Sequence, residues 1–282
     1  MNKTLLIERR GAVLHLSLNR PDKRNAMDLD MRDELAAAIQ AIRDDRSIHA
    51  VLLSGQGGAF CAGGDLRGIS SAGLDTEGWR TRMQETHRWL RDLLTLDRPV
   101  VAAVEGVAYG AGFSLALAAD FVVAAPSARF CMSFGKVGVV PDLGALYTLP
   151  RIVGVHKARE LMLSAREIDA REAENLGIAY EIQPAEHLLE RAHLLAERLA
   201  GSSPATASLI KRGLDMSLSS SLDSMLDFEA AAQAIAFSTD YYRIAVGRFI
   251  EKKPALFQWP AREVRMIAKP QADYQREGAQ HG

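Results

Sequence analysis

Ala59-Phe-Cys-Ala-Gly-Gly-Asp-Leu66 and Gly106-Val-Ala-Tyr-Gly-Ala-Gly112 are two glycine- and alanine-rich stretches, each lying just beyond an apolar run. The first run, Ala50-Val-Leu-Leu-Ser54, stops at Gly55-Gln-Gly-Gly58; the second is Val100-Val-Ala-Ala-Val104. Near-continuous apolar runs of this length read as strands buried on both faces, the pattern of a parallel sheet. The small residues that follow let a backbone or a ligand approach closely, because no bulky side chain intervenes. Taken singly, each stretch is also what an ordinary strand-to-helix turn looks like.

Working outward, Leu5 to Arg9 and Val13 to Asn19 read as short strands joined around Gly11 in a hairpin. From Asn25 to Asp45 the pattern turns helical, with Met27, Met31, Leu35, Ile39 and Ile42 at three- and four-residue spacing. A second helix is expected from Glu77 to Leu96, a small-residue helix from Gly110 to Ala119, and a strand at Phe121-Val-Val-Ala124. Strand and helix in alternation predict parallel βαβ packing and an α/β fold. Beyond about Pro150 the chain reads as helices: Val155 to Ser164, Ala170 to Leu176, Ala185 to Ala200, Pro204 to Ser217 and Leu222 to Phe237. Gly201-Ser-Ser-Pro204 marks a boundary, with Ser203 as cap and Pro204 at the first helical position. Three regions are therefore expected: 1–200 as the core with the site, 201–258 as a helical region, and 259–282 as a polar, mobile tail.

Of 282 residues, 48% are hydrophobic and the net charge is -1. Scattered charges leave no electrostatic footprint for nucleic acid, so an anionic ligand must be held by local groups. The most apolar stretch, Pro99 to Asp120, is broken by Glu105 and three glycines, too interrupted for a membrane span. With no signal-peptide core at the N-terminus, a cytoplasmic protein is expected. Cys61 and Cys131 are the only cysteines, with no CxxC or Cys/His cluster, which argues against a structural metal or a disulfide framework. Cys61 lies within the first glycine-rich stretch, so a nucleophilic thiol there is open, although its neighbours are apolar and no histidine is close in sequence.

Six segments in order resemble the enoyl-CoA hydratase/isomerase, or crotonase, superfamily, over about residues 3 to 258. They are Leu18-Asn-Arg-Pro-Asp-Lys-Arg-Asn-Ala-Met27, Ala59 to Leu66, Pro99 to Gly112, Val137-Gly-Val-Val-Pro-Asp142 with Leu149-Pro-Arg-Ile-Val-Gly154, Ala170-Arg-Glu-Ala-Glu-Asn-Leu-Gly177, and Phe249-Ile-Glu-Lys-Lys-Pro254. The resemblance implies a crotonase-like spiral of ββα units with a C-terminal helical trimerisation region, assembled as a homotrimer or a dimer of trimers. It implies no prosthetic group, with coenzyme A entering as the carrier part of an acyl-CoA substrate. Enzymes of this superfamily stabilise a thioester enolate by aiming fixed N–H donors at the carbonyl oxygen, where negative charge grows. Matched position by position, the donors are the N–H groups of Ala62 and Ala111, the latter at the positive end of the small-residue helix.

The resemblance also shows what is missing. Hydratases of the superfamily use two glutamates, and the matching positions hold Ser114 and Phe134. Two-glutamate hydration is disfavoured, because Ser114 is a poor base and Phe134 moves no proton. Glu105 is a further departure, standing where the superfamily usually has Asn. Asp142 matches the carboxylate of single-carboxylate enoyl-CoA isomerases, which carries one proton between the α and γ carbons; it also suits a plain helix N-cap. His87 falls on the stripe of Met83, Leu90 and Leu94, which makes it a histidine at the core edge or a second acid–base group beside Asp142. With Asp142 it matches the pair of aryl-CoA dehalogenases, leaving an aryl-CoA dehalogenase or thioester hydrolase open, alongside a hydratase with an atypical water site and a non-catalytic acyl-CoA-binding homologue. By resemblance, coenzyme A is held by Lys23, Arg24, Ala59, Ala62, Gly63, Gly64, Asp65 and Leu66, with Lys252 or Lys253 reaching in from a neighbouring subunit. The acyl end is expected among Phe113, Ser114, Met132, Phe134 and Leu143, residues whose plainer reading is core.

Overall fold

Gly11 takes the left-handed φ of 60° that a two-residue turn requires, and it joins β1 (Leu5–Arg10) to β2 (Val13–Leu18) as an antiparallel hairpin. The structure, a computed structural model, describes residues 3–261. The chain continues through α1 (Leu29–Asp44) into β3 (Ala50–Gly55), then α2 (Leu66–Ser71), α3 (Thr76–Leu94) and β4 (Val100–Val104). Next come β5 (Val107–Tyr109), α4 (Ala111–Ala116), β6 (Phe121–Ala124) and β7 (Arg129–Cys131). The two apolar runs are the parallel strands expected of them: the large sheet has the order β1-β2-β3-β4-β6-β9, parallel from β2 onward. The small sheet, β5-β7-β8, is extended by a bridge from Cys61 to Ala108. Successive passes of the chain thus add a strand to the large sheet and then a strand or a rung to the small one. This is a spiral of repeated units.

After β7 come α5 (Ala145–Ser164), β8 (Glu167–Asp169), α6 (Ala170–Asn175), β9 (Glu181–Ile182) and α7 (Ala185–Ala200). Alternation along the central strands sends Leu14, Leu16, Val51, Leu53, Val100 and Ala102 into the core shared with α1, α3 and α4. Val13, Leu52, Val101 and Ala103 face the other way, onto Leu188, Ala192 and Leu195 of α7. Three helices close the chain: α8 (Pro204–Ser217), α9 (Leu222–Phe237) and α10 (Asp240–Ile250). None has a buried residue in the single chain, and Leu214, Leu218, Leu222 and Phe249 are more than half exposed, at 66%, 68%, 73% and 83%. Among the described residues, no helix is long and apolar enough to cross a membrane.

Four expectations shift. The helix expected from Asn25 begins at Leu29, because Arg24 and Asn25 take left-handed conformations and Asp28 caps the helix through Met31 N–H at 2.9 Å. The helix expected from Val155 is the second half of a longer element that starts at Ala145 and breaks at Gly154, φ 77°. The last helix, α10, was not foreseen. The tail expected from 259 is anchored at its start: the Trp259 ring packs on Phe121 and Tyr180, and its indole N–H donates to the Tyr180 hydroxyl at 2.8 Å. The rest of that tail, 262–282, lies outside the described residues.

His15 is a buried imidazole on the α7 side of the sheet, its Nε2 in hydrogen-bond contact with Ser54 (2.8 Å) and Ser17 (3.1 Å). Burial lowers its pKa from 6.5 to about 4, with Arg10 and His193 adding to the effect and Glu8 opposing it. The unfolded chain takes up this proton first, so stability is full above about pH 6.5 and falls as the pH drops toward 4. Urea denaturation should show a loss on the order of 3 kcal/mol across that window. His15→Gln should lack this part of the slope; an unchanged slope would refute the assignment.

Candidate active site

The two glycine-rich stretches lie against each other as a short ladder. Phe60 N–H donates to Glu105 C=O (2.8 Å), Cys61 N–H to Val107 C=O (2.9 Å) and Tyr109 N–H to Cys61 C=O (2.9 Å), while Gly110 N–H turns to β7 and donates to Cys131 C=O (2.8 Å). The approach is so close that a β-carbon on Gly112 would stand 2.2 Å from the Cys61 carbonyl oxygen, and one on Gly106 2.3 Å from that of Gly58. Only glycine fits there. Gly110, φ 50°, turns the chain into α4, whose first hydrogen bond is Ser114 N–H to Gly110 C=O.

A second clamp holds the first stretch to the loop before α1. Asn25 is fully buried; its amide donates to the carbonyls of Gln56 (2.9 Å) and Ala59 (2.7 Å), and its Oδ1 accepts the Arg20 N–H (2.8 Å). Arg20 pairs with Asp28 at 3.1 Å and Asp65 at 2.9 Å. Both residues stand in the matched segment Leu18–Met27, in which no role was expected of them, and no local pattern singles them out.

This clamp corrects one expected donor. The Ala62 N–H is spent on the Arg24 carbonyl at 2.9 Å and is not free for an oxyanion. Met27 and Gly64 instead form a parallel bridge, in which Met27 N–H donates to Gly63 C=O (2.7 Å) and Asp65 N–H to Met27 C=O (2.9 Å). A parallel bridge of this kind engages the neighbours of Gly64 and leaves its own N–H unused. Among the described residues the N–H groups of Gly64 and Ala111 have no acceptor. They are close: a β-carbon on Gly63 would lie 3.7 Å from the Ala111 nitrogen.

The neighbouring side chains divide into those facing this corner and those committed elsewhere. The Phe134 ring is buried and would stand 3.8 Å from a β-carbon on Gly110, so it faces the second donor segment. Ser114 is fully buried and donates to Gly110 C=O at 3.2 Å, which ties its hydroxyl to its own helix. Phe113 packs on Phe130 with ring centroids 5.2 Å apart, inside the core. Met132 and Leu143 are buried in the same cluster. The Cys61 thiol is pushed up to about 11 by burial, which leaves no thiolate for nucleophilic attack near neutral pH.

Asp142 is not a helix cap. The residue before α5 is Gly144, no side chain caps that helix, and Asp142 contributes only its backbone carbonyl, to Ala145 N–H at 3.1 Å. Its Oδ1 is buried without a hydrogen-bond partner. Burial raises its pKa above the ordinary carboxylate value, against the pull of Arg32 and His87. His87 is exposed rather than inward-facing, because the buried stripe of α3 is Thr86, Trp89, Leu90 and Leu93, one position off the expected one. It lines a cleft with Leu90, Leu94, Gly144, Tyr147 and Arg151.

Lys23 and Arg24 are exposed on the turn whose carbonyl receives the Ala62 N–H, and so border the first stretch. Ala59 is buried and Leu66 is exposed. Asp65, expected beside adenine, caps α2 through the N–H groups of Arg67 (3.2 Å) and Gly68 (3.4 Å) and pairs with Arg20. Lys252 and Lys253 lie exposed on the turn after α10, where Lys253 pairs with Glu251 at 2.6 Å.

Residues 8–260 match the family model described as enoyl-CoA hydratase/isomerase. The crystal structure of an enoyl-CoA hydratase/isomerase from Cupriavidus metallidurans CH34 is similar, with a TM-score of 0.87 and 42% identity over 92% of this chain and 98% of that one. A 1,2-epoxyphenylacetyl-CoA isomerase of Escherichia coli K12 is 35% identical over 87% of this chain and 94% of its own. A probable enoyl-CoA hydratase of Rhodobacter capsulatus is 36% identical over 86% and 93%.

Replacing Asn25 by Ala would strand the buried Ala59 carbonyl and the partly buried Gln56 carbonyl and Arg20 N–H. A loss of roughly 2–4 kcal/mol in urea denaturation is expected. Wild-type stability in this variant would mean that the clamp is dispensable.

Proposed function

The chain belongs to the enoyl-CoA hydratase/isomerase family and shares its crotonase fold, and from that premise we propose that it shifts the double bond of an enoyl-CoA, with Asp142 as the proton carrier. The observation that carries this reading is the half-buried Asp142, whose buried Oδ1 has no partner and whose proton affinity is raised by burial. The thioester carbonyl oxygen lies at the Gly64 and Ala111 N–H groups. Asp142 removes a proton from the α carbon; the electron pair moves onto the thioester oxygen, where the two N–H groups hold the enolate. The same carboxyl returns the proton at the γ carbon, so one acid–base group suffices and no water is consumed. An apolar Phe134 and a Ser114 hydroxyl tied to Gly110 leave the usual water-orienting positions empty of carboxylates, which weighs against hydration, the activity named for the Rhodobacter relative.

Lys23 and Arg24, exposed beside the first stretch, are placed to meet the coenzyme A phosphates. The apolar surface of α8–α10 supports a role for residues 201–258 in assembling a homotrimer or a dimer of trimers. Sedimentation of the purified chain at micromolar concentration should give a trimer or hexamer; a monomer would remove that assignment.

Asp142→Asn should lower double-bond migration in a 3-enoyl-CoA by about a hundredfold or more. It should also abolish exchange of the α proton in deuterated water, while acyl-CoA binding persists. Unchanged turnover and exchange across 2-enoyl- and 3-enoyl-CoA panels would refute the proposal.

A further inference from the structure

Where α1 packs on α3, the two helices enclose a groove of about 490 Å³ whose walls include Arg32, Arg82, Arg88 and Trp89. Arg32 is only 7% exposed, and its buried Nε has no hydrogen-bond partner. The half-buried Arg82, on the facing helix, also has a buried Nε without a partner. Its guanidinium lies over the Trp79 ring at 5.3 Å, which occupies one face of the cation and leaves its N–H edge open. Neither arginine makes an ion pair among the described residues. The carboxylates around the groove are committed elsewhere or exposed. Asp92 pairs with Arg43 and Asp28 with Arg20, while Asp33 and Glu85 face solvent. Burial and the like charge of Arg82 pull the Arg32 guanidinium below its ordinary pKa. An arginine held at this depth is ordinarily paired. Two guanidiniums in one groove, each with an unmet donor, are costly to keep unless an anion arrives.

We propose that the groove between α1 and α3 is a binding site for a phosphate-type oxyanion, held between Arg32 and Arg82. Two positive charges call for a doubly charged partner. Each planar guanidinium presents Nε–H and Nη–H donors that suit two oxygens of one phosphate. Arg88, exposed on the same groove, adds a third positive charge. The phosphate is free or is carried by a larger molecule such as coenzyme A, and both offer the same tetrahedral oxygens. This site is independent of the reaction proposed for Asp142.

In the full-length protein with 15N-labelled arginine, the Nε–H signals of Arg32 and Arg82 are assigned by their loss in Arg32→Met and Arg82→Met. Inorganic phosphate should shift both signals in a saturable way, whereas chloride at matched ionic strength leaves them in place. Calorimetry should show each substitution weakening phosphate binding by about tenfold or more. Phosphate should also raise the urea midpoint of the wild type but not of the variants. Should Arg32→Met not fold, Arg82→Met, at a half-buried position, gives the same reading. Saturating coenzyme A that displaces the phosphate marks the carrier as its source; phosphate retained beside it marks a free anion, and either result upholds the site. Shifts no different from those with chloride, unchanged affinity in the variants, or acetate bound as tightly as phosphate would overturn it.

Discussion

Backbone packed against backbone, between residues 55–64 and 105–112, is the constraint on which the rest of this structure depends. At Gly106 and Gly112 a β-carbon would come within 2.2–2.3 Å of a carbonyl oxygen of the first stretch. The contact joins the large sheet to the small one, because the two stretches leave β3 and β4 and continue into the small sheet and its Cys61–Ala108 bridge. It also decides which polar groups are left over. Along the contact, N–H groups are taken up by the ladder, by the Met27 bridge and by Arg24, and those of Gly64 and Ala111 are left without an acceptor among the described residues. An N–H withdrawn from water without an acceptor is costly, and two such groups close together suit an acceptor that arrives from outside.

The chemistry follows from what surrounds that corner. Phe134 and the self-bonded Ser114 make it apolar and take no part in proton transfer. Burial raises the proton affinity of Asp142, whose buried Oδ1 has no hydrogen-bond partner. A weakly solvated carboxylate of raised proton affinity is a better base than an exposed one. Arg32 on α1 and His87 on α3 pull the other way.

Much of this was legible in the sequence. The apolar runs gave β3 and β4 and their parallel pairing, since a strand buried on both faces has no polar alternation. Ser203 and Pro204 marked the start of α8 because cap chemistry is local. Ser114, Phe134 and Asp142 were visible as departures and replacements at matched positions. The strands of two or three residues, β5, β7, β8 and β9, were not, as they are too short to show a period. On α3 the stripe was misplaced by one residue, because several rows of a mixed helix carry apolar side chains and the packing partner, here α1, selects among them.

The sequence by itself determined residue size and spacing: where the chain must be thin and where it must be apolar. Only the tertiary structure decided that Gly64 rather than Ala62 keeps a free N–H, that His87 faces solvent, and that the Asp142 Oδ1 is buried without a partner. The physical reason is common to all three. Whether a polar group is free, exposed or charged depends on partners brought in from remote segments, such as Arg24, Met27 and the packed faces of α1 and α3, and local spacing carries no record of them.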